Sequence, residues 1–251
     1  MASEALILVI GTLPWLLPLP LLGIALAGAA LRIGYESGVV NGMPKAHSSG
    51  MIGAGILAGF SALVWFQSSE VWPLGLAVLI LATGGAAILA NGLEKAWLWR
   101  FLIYPVLPFM LFVFSARWAN AAFACLLSFL LVEIFDSFSL LGGRLFGKRL
   151  LVPKLSPQKT WEGLAVGFLA VAISAISLAA LLKIDLPTMA AVAIAVTAGA
   201  LIGDLFASAA KRRAGVKDYP PVLPIQGGLL DIMDAWIVAG PLAGVIFTAL
   251  H

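Results

Sequence analysis

What this chain has least of is charge: Asp, Glu, Lys and Arg make up 11% of its 251 residues, while 62% are hydrophobic. A soluble globular protein carries about 25% charged and about 45–50% apolar residues. The scarcity excludes a water-soluble fold, because a domain of this size has no interior large enough to hide so much apolar surface, and a mean hydropathy of +1.06 agrees. Cysteine is nearly absent too. The single Cys125 sits in an apolar run, which excludes a disulfide framework within the chain and marks a buried, inert thiol. No basic leader precedes the run from Ala5 to Leu31, and that run is too long for the core of a signal peptide, so no cleaved signal is expected. Tandem repeats and low-complexity tails are also missing. The net charge of +3 is too small to argue for nucleic acid, which is not expected as a partner.

What is present is a succession of eight apolar stretches, at about 5–31, 50–67, 72–92, 98–115, 118–140, 163–183, 187–208 and 235–250. Most are long enough to cross a bilayer, which takes about 20 residues at 1.5 Å rise. The expected fold is all-α: a polytopic membrane bundle of about eight transmembrane helices forming one membrane domain. Residues 1–130 supply its N-terminal helices, and residues 131–251 supply C-terminal helices that carry the polar motifs. Pro14, Pro18 and Pro20 predict a kink or break in the first stretch. If the loops 32–49, 93–97, 141–162 and 209–234 share one side, thirteen of the fifteen Lys and Arg fall there, counting Arg100 just inside its helix. Only Arg117 and Lys183 fall opposite. That asymmetry places the basic side in the cytoplasm and both termini outside, as expected of a multi-pass protein of a bacterial inner membrane. The two longest basic loops are joined by two spans and a tight turn at Lys183–Pro187, so they emerge together.

Carboxylates inside apolar segments are the second signal. An ionised carboxylate in hydrocarbon costs several kcal/mol unless it finds a cation, a water-filled cavity or a metal. Glu133 and Asp136 are three residues apart and share a helix face, where solvation at interface depth or pairing with Arg144 or Lys148 accounts for them equally well. The segment Gly203–Asp234 is more pointed. It gathers Asp204, Asp218, Asp231 and Asp234 with Lys211, Arg212, Arg213 and Lys217, and sets Asp204 and Ser208 four residues apart on a helix. Hard carboxylate oxygens beside basic residues suit Mg²⁺ bridging substrate phosphates. Gly227 and Gly228, before a helix start, allow backbone N–H groups to approach a phosphate. Clustered basic residues beside a span ordinarily signify topology or anionic lipid, and that covers Lys211–Arg213; it does not explain four aspartates. The second loop, Gly142–Gly163, interleaves Arg144, Lys148, Arg149, Lys154 and Lys159 with glycines. Thr160 is a candidate cap of the next span, and Glu162 suits its first turn.

At these two loops the sequence resembles the phosphatidate cytidylyltransferases, or CDP-diacylglycerol synthases. Ser208, Lys211, Arg212, Lys217, Asp218, Pro224, Gly227, Gly228, Asp231 and Asp234 fall in register with that family's signature. Upstream, Ser156, Pro157, Lys159, Thr160, Glu162 and Gly163 match a second stretch, and Asp136 with Gly143-Arg144 and Gly147-Lys148 a third. The resemblance covers roughly residues 130–240. It implies a Mg²⁺-dependent reaction of CTP with phosphatidate, or a related lipid phosphate, giving CDP-diacylglycerol and pyrophosphate. It also implies roles: Asp204 and Asp231 as metal ligands, and Lys211, Lys217, Asp218 and Asp234 as catalytic groups. Asp136, Arg144, Lys148, Ser156, Lys159, Thr160, Ser208, Arg212, Gln226, Gly227 and Gly228 would bind substrate. Two positions depart from the signature. Its His is Gln226, which cannot carry a proton at pH 7, and its Arg after the first closing Asp is Ile232. A catalytically impaired paralogue that binds lipid or nucleotide therefore stays open, as does a CTP-dependent lipid-alcohol kinase. A second cation and a homodimer are likewise left open. A transporter is least favoured, since the middle of most spans carries no charge.

Overall fold

A computed structural model of the chain describes residues 19–41, 46–66, 97–116, 119–222 and 227–250. Helix α1 (Leu19–Val40) packs antiparallel on α2 (Ala46–Phe66). A short helix α3 (Trp97–Phe101) passes through a widened turn over Leu102–Val106 into α4 (Leu107–Ala116). Pro105 lies in that turn, and Tyr104 leaves helical geometry because a proline disfavours the α conformation in the residue before it. Then follow α5 (Ala119–Phe146), a two-stranded antiparallel hairpin of β1 (Leu150–Val152) and β2 (Ser156–Thr160), α6 (Trp161–Leu182) and α7 (Leu186–Arg213). A short α8 (Leu229–Met233) leads into α9 (Trp236–Leu250).

Local chemistry explains the boundaries. Thr160, in extended geometry, caps α6 as expected: its hydroxyl accepts from the Gly163 amide at 3.0 Å. Inward residues of α6 recur every fourth position as Gly163, Gly167, Val171, Ala175 and Ala179, a small-residue stripe that packs closely against neighbouring helices. Its opposite face exposes Phe168, Leu169, Ile173 and Ile176, as a lipid-facing surface would. Asp185 caps α7 by accepting from the Thr188 amide at 2.9 Å, and Lys183, at φ 57°, ends α6, so the predicted turn at Lys183–Pro187 is present.

The protein is mostly helical, in keeping with an all-α membrane bundle. Among the described residues five helical segments are long and apolar enough to cross: Leu98–Ala116, Ala122–Phe146, Trp161–Leu182, Leu186–Arg213 and Leu229–Leu250. They correspond to five of the eight expected spans. The stretch at 72–92, Pro14 and Pro18 lie outside the described residues, and the apolar helix Gly50–Ala62 is shorter than a full span. Three expected loops are shorter than their charges suggested. Residues 32–40 continue α1, α5 runs on to Phe146 before the hairpin, and α7 carries its basic residues to Arg213. Charge alone does not end a helix, and cations in a last turn favour the negative end of its dipole.

Two buried clusters make up the interior. One joins α1, α2 and α4 with Trp236 and Ile237, and Trp236 donates its indole N–H to the Cys125 carbonyl at 2.9 Å. The other joins α5, α6, α7 and α9 through small and β-branched residues such as Val171, Val192 and Ala239. Cys125 is buried and free, as expected.

Candidate active site

A cavity of about 410 Å³ opens at the basic end of the bundle, where α5, the hairpin, α6, α7 and α8 meet. Asp136 reaches it from α5, Ser156, Gln158, Lys159 and Thr160 from the hairpin, and Asp204 and Lys211 from α7. Asp218, Asp231 and Asp234 close the remaining side. Asp204 and Asp231, from separate membrane helices, thus face one shared hollow. Gly203 makes this approach possible, since a side chain there would collide with the Asp234 carbonyl.

Two ion pairs cross the cavity wall. Lys159 of β2 pairs with Asp204 of α7, and Lys211 of α7 pairs with Asp231 of α8 at 2.6 Å. The first pair keeps side-chain exposures of 27% and 21%; the second is tighter, at 11% for each partner. Burial alone would lower the pKa of Lys159, yet the carboxylates of Asp204 and Asp136 together hold it above the usual lysine value. The Ser208 hydroxyl donates to Asp204 at 3.4 Å, the helical i, i+4 relation expected from the sequence. Lys211 also lies 5.4 Å from the centre of the buried Tyr219 ring. Burial, followed by the charges of Asp234 and Asp231, pushes the Tyr219 hydroxyl above its ordinary range.

Asp231 is the most heavily engaged acid of those lining the cavity. Its Oδ1 accepts from Lys211, and its Oδ2 accepts from the amides of Tyr219 at 2.8 Å and Gly228 at 2.9 Å. The Gly228 amide, expected to face a phosphate, is therefore committed to Asp231. Gly227, at φ +72°, takes a left-handed turn that favours glycine, and a side chain would press on the Asp231 carboxylate.

Not every predicted residue reaches the cavity. Arg144, Lys148 and Lys217 are exposed and do not line it. Arg212 donates to the Leu155 carbonyl at 3.3 Å and the Val216 carbonyl at 3.1 Å, tying the end of α7 to the hairpin. Asp136 lines the cavity and Glu133 does not, standing about 4.5 Å further from the basic end along α5. Glu162 stands in the first turn of α6 as expected, and it has a part the sequence did not suggest: it accepts from the amides of Lys148 and Arg149 at 3.1 Å each, closing the hairpin's base. Gln226 lies outside the described residues, and Ile232 is half-buried away from the cavity lining. The sequence reading missed Glu36 and Arg32 of α1. Glu36 accepts from the amides of Leu229 and Leu230, and Arg32 donates to the Pro220 carbonyl. Their one visible signal was an acid–base pair four residues apart where an apolar run ends.

The donor set is all hard oxygen on the acidic side, which suits Mg²⁺ in kind. Among the described residues no three such ligands surround one point, and two of the acids hold ammonium groups instead. The arrangement provides paired acids and cations around a polar hollow at one end of an apolar bundle. With five carboxylates against two ammonium groups, the hollow accommodates a phosphate-bearing molecule only in company with a cation.

Comparison with known proteins places the whole chain in relation to a family. The sequence profile of the cytidylyltransferase family matches residues 4–250. A phosphatidate cytidylyltransferase of Rickettsia felis is 28% identical over 204 residues, covering 74% of this chain and 88% of that protein. One from Thermotoga maritima is 37% identical over 129 residues, 47% of this chain and 46% of its own. The chloroplastic phosphatidate cytidylyltransferase 5 of Arabidopsis thaliana is 38% identical over 139 residues, 55% of this chain, and this match spans about a third of the plant protein's length (34%).

Proposed function

The chain belongs to the cytidylyltransferase family, and we propose that it transfers the cytidylyl group of CTP to phosphatidate or a closely related lipid phosphate, releasing pyrophosphate. The observation that carries this reading is the cavity at the basic end of the bundle, in which Asp136, Asp204, Asp218, Asp231 and Asp234 meet Lys159 and Lys211. The reaction joins two anions. A phosphate oxygen of the lipid attacks the α-phosphorus of CTP, the bond to the β-phosphate oxygen breaks, and pyrophosphate leaves. The obstacle is charge, so neutralisation and alignment matter more than a strong base.

Lys159 would take phosphate oxygens once Asp204 is otherwise engaged, and Lys211, held by Asp231, would add its positive charge from the opposite wall. Asp204 and Asp231 are the residues proposed to hold Mg²⁺. Bound there, the ion would neutralise phosphate charge. Ser156 and Thr160 line the same hollow and offer hydroxyls to CTP, although the Thr160 oxygen already caps α6. The basic end is assigned to the cytoplasm by the distribution of Lys and Arg, which lets water-borne CTP meet a lipid whose tails remain in the bilayer.

The test uses purified full-length protein, Mg²⁺, a panel of lipids and CTP labelled in the α- or the γ-phosphate. Label from the α-phosphate in lipid, with pyrophosphate released, is the expected result. Label from the γ-phosphate would identify a lipid-alcohol kinase instead. Nucleotide or lipid binding with no transfer from either position would make the chain a silent paralogue.

A further inference from the structure

The cavity's most engaged acid is held in place from the other end of the sequence. Glu36 is 0% exposed and sits near the end of α1. Its Oε1 accepts from the Leu229 amide at 2.8 Å and from Arg32 Nε at 2.6 Å, and its Oε2 accepts from the Leu230 amide at 2.7 Å. These are the first free amides of α8, the short helix that carries Asp231. Arg32 in turn donates to the Pro220 carbonyl at 2.7 Å, beside Tyr219, whose amide Asp231 accepts. The fit leaves no slack: a side chain on Gly228 would collide with both Glu36 and Tyr219.

Residues 219–220 and 228–230 are thereby fixed by two carboxylates working back to back. Glu36 takes the amides of residues 229 and 230, and Asp231 takes those of 219 and 228. A helix start needs acceptors, but it does not need a buried acid reaching it from 193 residues away. An apolar contact or a local cap would stabilise the fold at lower desolvation cost. What the Glu36 carboxylate adds is direction, because two amides on one carboxylate fix the rotation of α8 and so the aim of Asp231.

We propose that Glu36, braced by Arg32, is a positioning residue that sets the pose of Asp231 in the cavity, and so governs how well the site takes a divalent cation. The inference rests on the cytidylyltransferase reading for its effect on catalysis, while its geometric half stands without it. Glu36 touches no cavity group itself. It acts through α8 alone.

The experiment measures hydrogen exchange of the segment 228–233 in full-length protein in lipid nanodiscs, with Mg²⁺ alone as the ligand. In wild type, Mg²⁺ should slow exchange there. Glu36→Gln keeps one acceptor and turns an amide hydrogen toward the other backbone donor, so exchange of 228–233 should rise about tenfold, the ratio expected when one such bond is lost. The Mg²⁺ concentration for half-protection should rise about tenfold, the usual scale for loss of an outer support of a metal ligand. In the transfer assay the Mg²⁺ midpoint should shift by the same factor, with the rate at saturating Mg²⁺ falling less. Should Glu36→Gln not fold, Arg32→Gln serves in its place, with smaller shifts in the same direction. A role in stability alone predicts a lower melting temperature with exchange at 228–233 and the Mg²⁺ midpoint both unchanged, and that result overturns the proposal. A wild type that transfers nothing would remove the proposed function and leave the exchange measurement to decide this one.

Discussion

The two walls of the cavity carry nearly the same residues and are built in opposite ways. On the hairpin wall, Lys159 stands on a five-residue strand, and its pair with Asp204 stays about a quarter exposed, at 27% and 21%. On the α8 wall, Lys211 and Asp231 are each 11% exposed, and Asp231 is further tied to two amides on a helix that Glu36 pins from behind. A lysine–aspartate pair is therefore not one kind of object in this site. The first is the more exposed of the two, and in the proposed reaction its lysine would turn to an arriving phosphate. The second is over-determined, suited to presenting a carboxylate at a fixed place. The difference lies in how many other bonds each aspartate makes.

The largest expected effect tests the fixed wall. Asp231→Asn retains an oxygen for the Tyr219 and Gly228 amides but removes the charge that pairs with Lys211, so it should cost about 3 kcal/mol of stability, and in the folded protein transfer should fall by about 10³-fold, the upper scale for one lost preorganised electrostatic group. Full activity would leave the fixed wall as scaffold only. Next, the two lysines should separate on stability. Lys211→Met strands the sealed Asp231 and should cost about 3 kcal/mol in SDS-induced unfolding, as for other buried pairs that lose one partner. Lys159→Met leaves an Asp204 that is 21% exposed and keeps the Ser208 hydroxyl, so it should cost less, about 2 kcal/mol, between the accessible and the buried scales. Its transfer rate should nevertheless fall about 10²-fold through loss of a phosphate partner. Equal destabilisation by both would erase the contrast.

How much of this could be read from sequence differs between the walls for physical reasons. Five spans, the Thr160 cap and the turn at Lys183–Pro187 follow from hydropathy and capping chemistry, which are local. The convergence of Asp204 and Asp231 was also legible, since an acid at the end of an apolar span needs a polar neighbour. The hairpin was not legible, because Ser156–Thr160 has no apolar alternation and its closure depends on Glu162 gripping the amides of residues 148 and 149. Arg144, Lys148 and Lys217 looked like site residues because charge in a loop says nothing of the direction in which it points. Glu36 was the deepest omission: with Arg32 it reads as a local helical pair, while its two decisive bonds go to residues beyond 228.

The smallest effects concern the hairpin's own base, where two neighbouring contacts should behave differently. Thr160→Ala removes the hydroxyl that caps α6 and should cost about 1 kcal/mol, the usual loss for a Thr cap. The Arg149–Glu162 pair, at 3.3 Å with the arginine side chain 84% exposed, should matter far less. Glu162 keeps the amides of Lys148 and Arg149 whatever side chain stands at 149, so Arg149→Ala should change neither the unfolding midpoint nor the rate of transfer. If that variant lost activity on the scale of Lys159→Met while remaining folded, the outer face of the hairpin would be holding substrate too. The more exposed wall would then extend beyond the cavity, and the contrast between an exposed and a fixed side would have to be redrawn around the whole hairpin rather than one lysine.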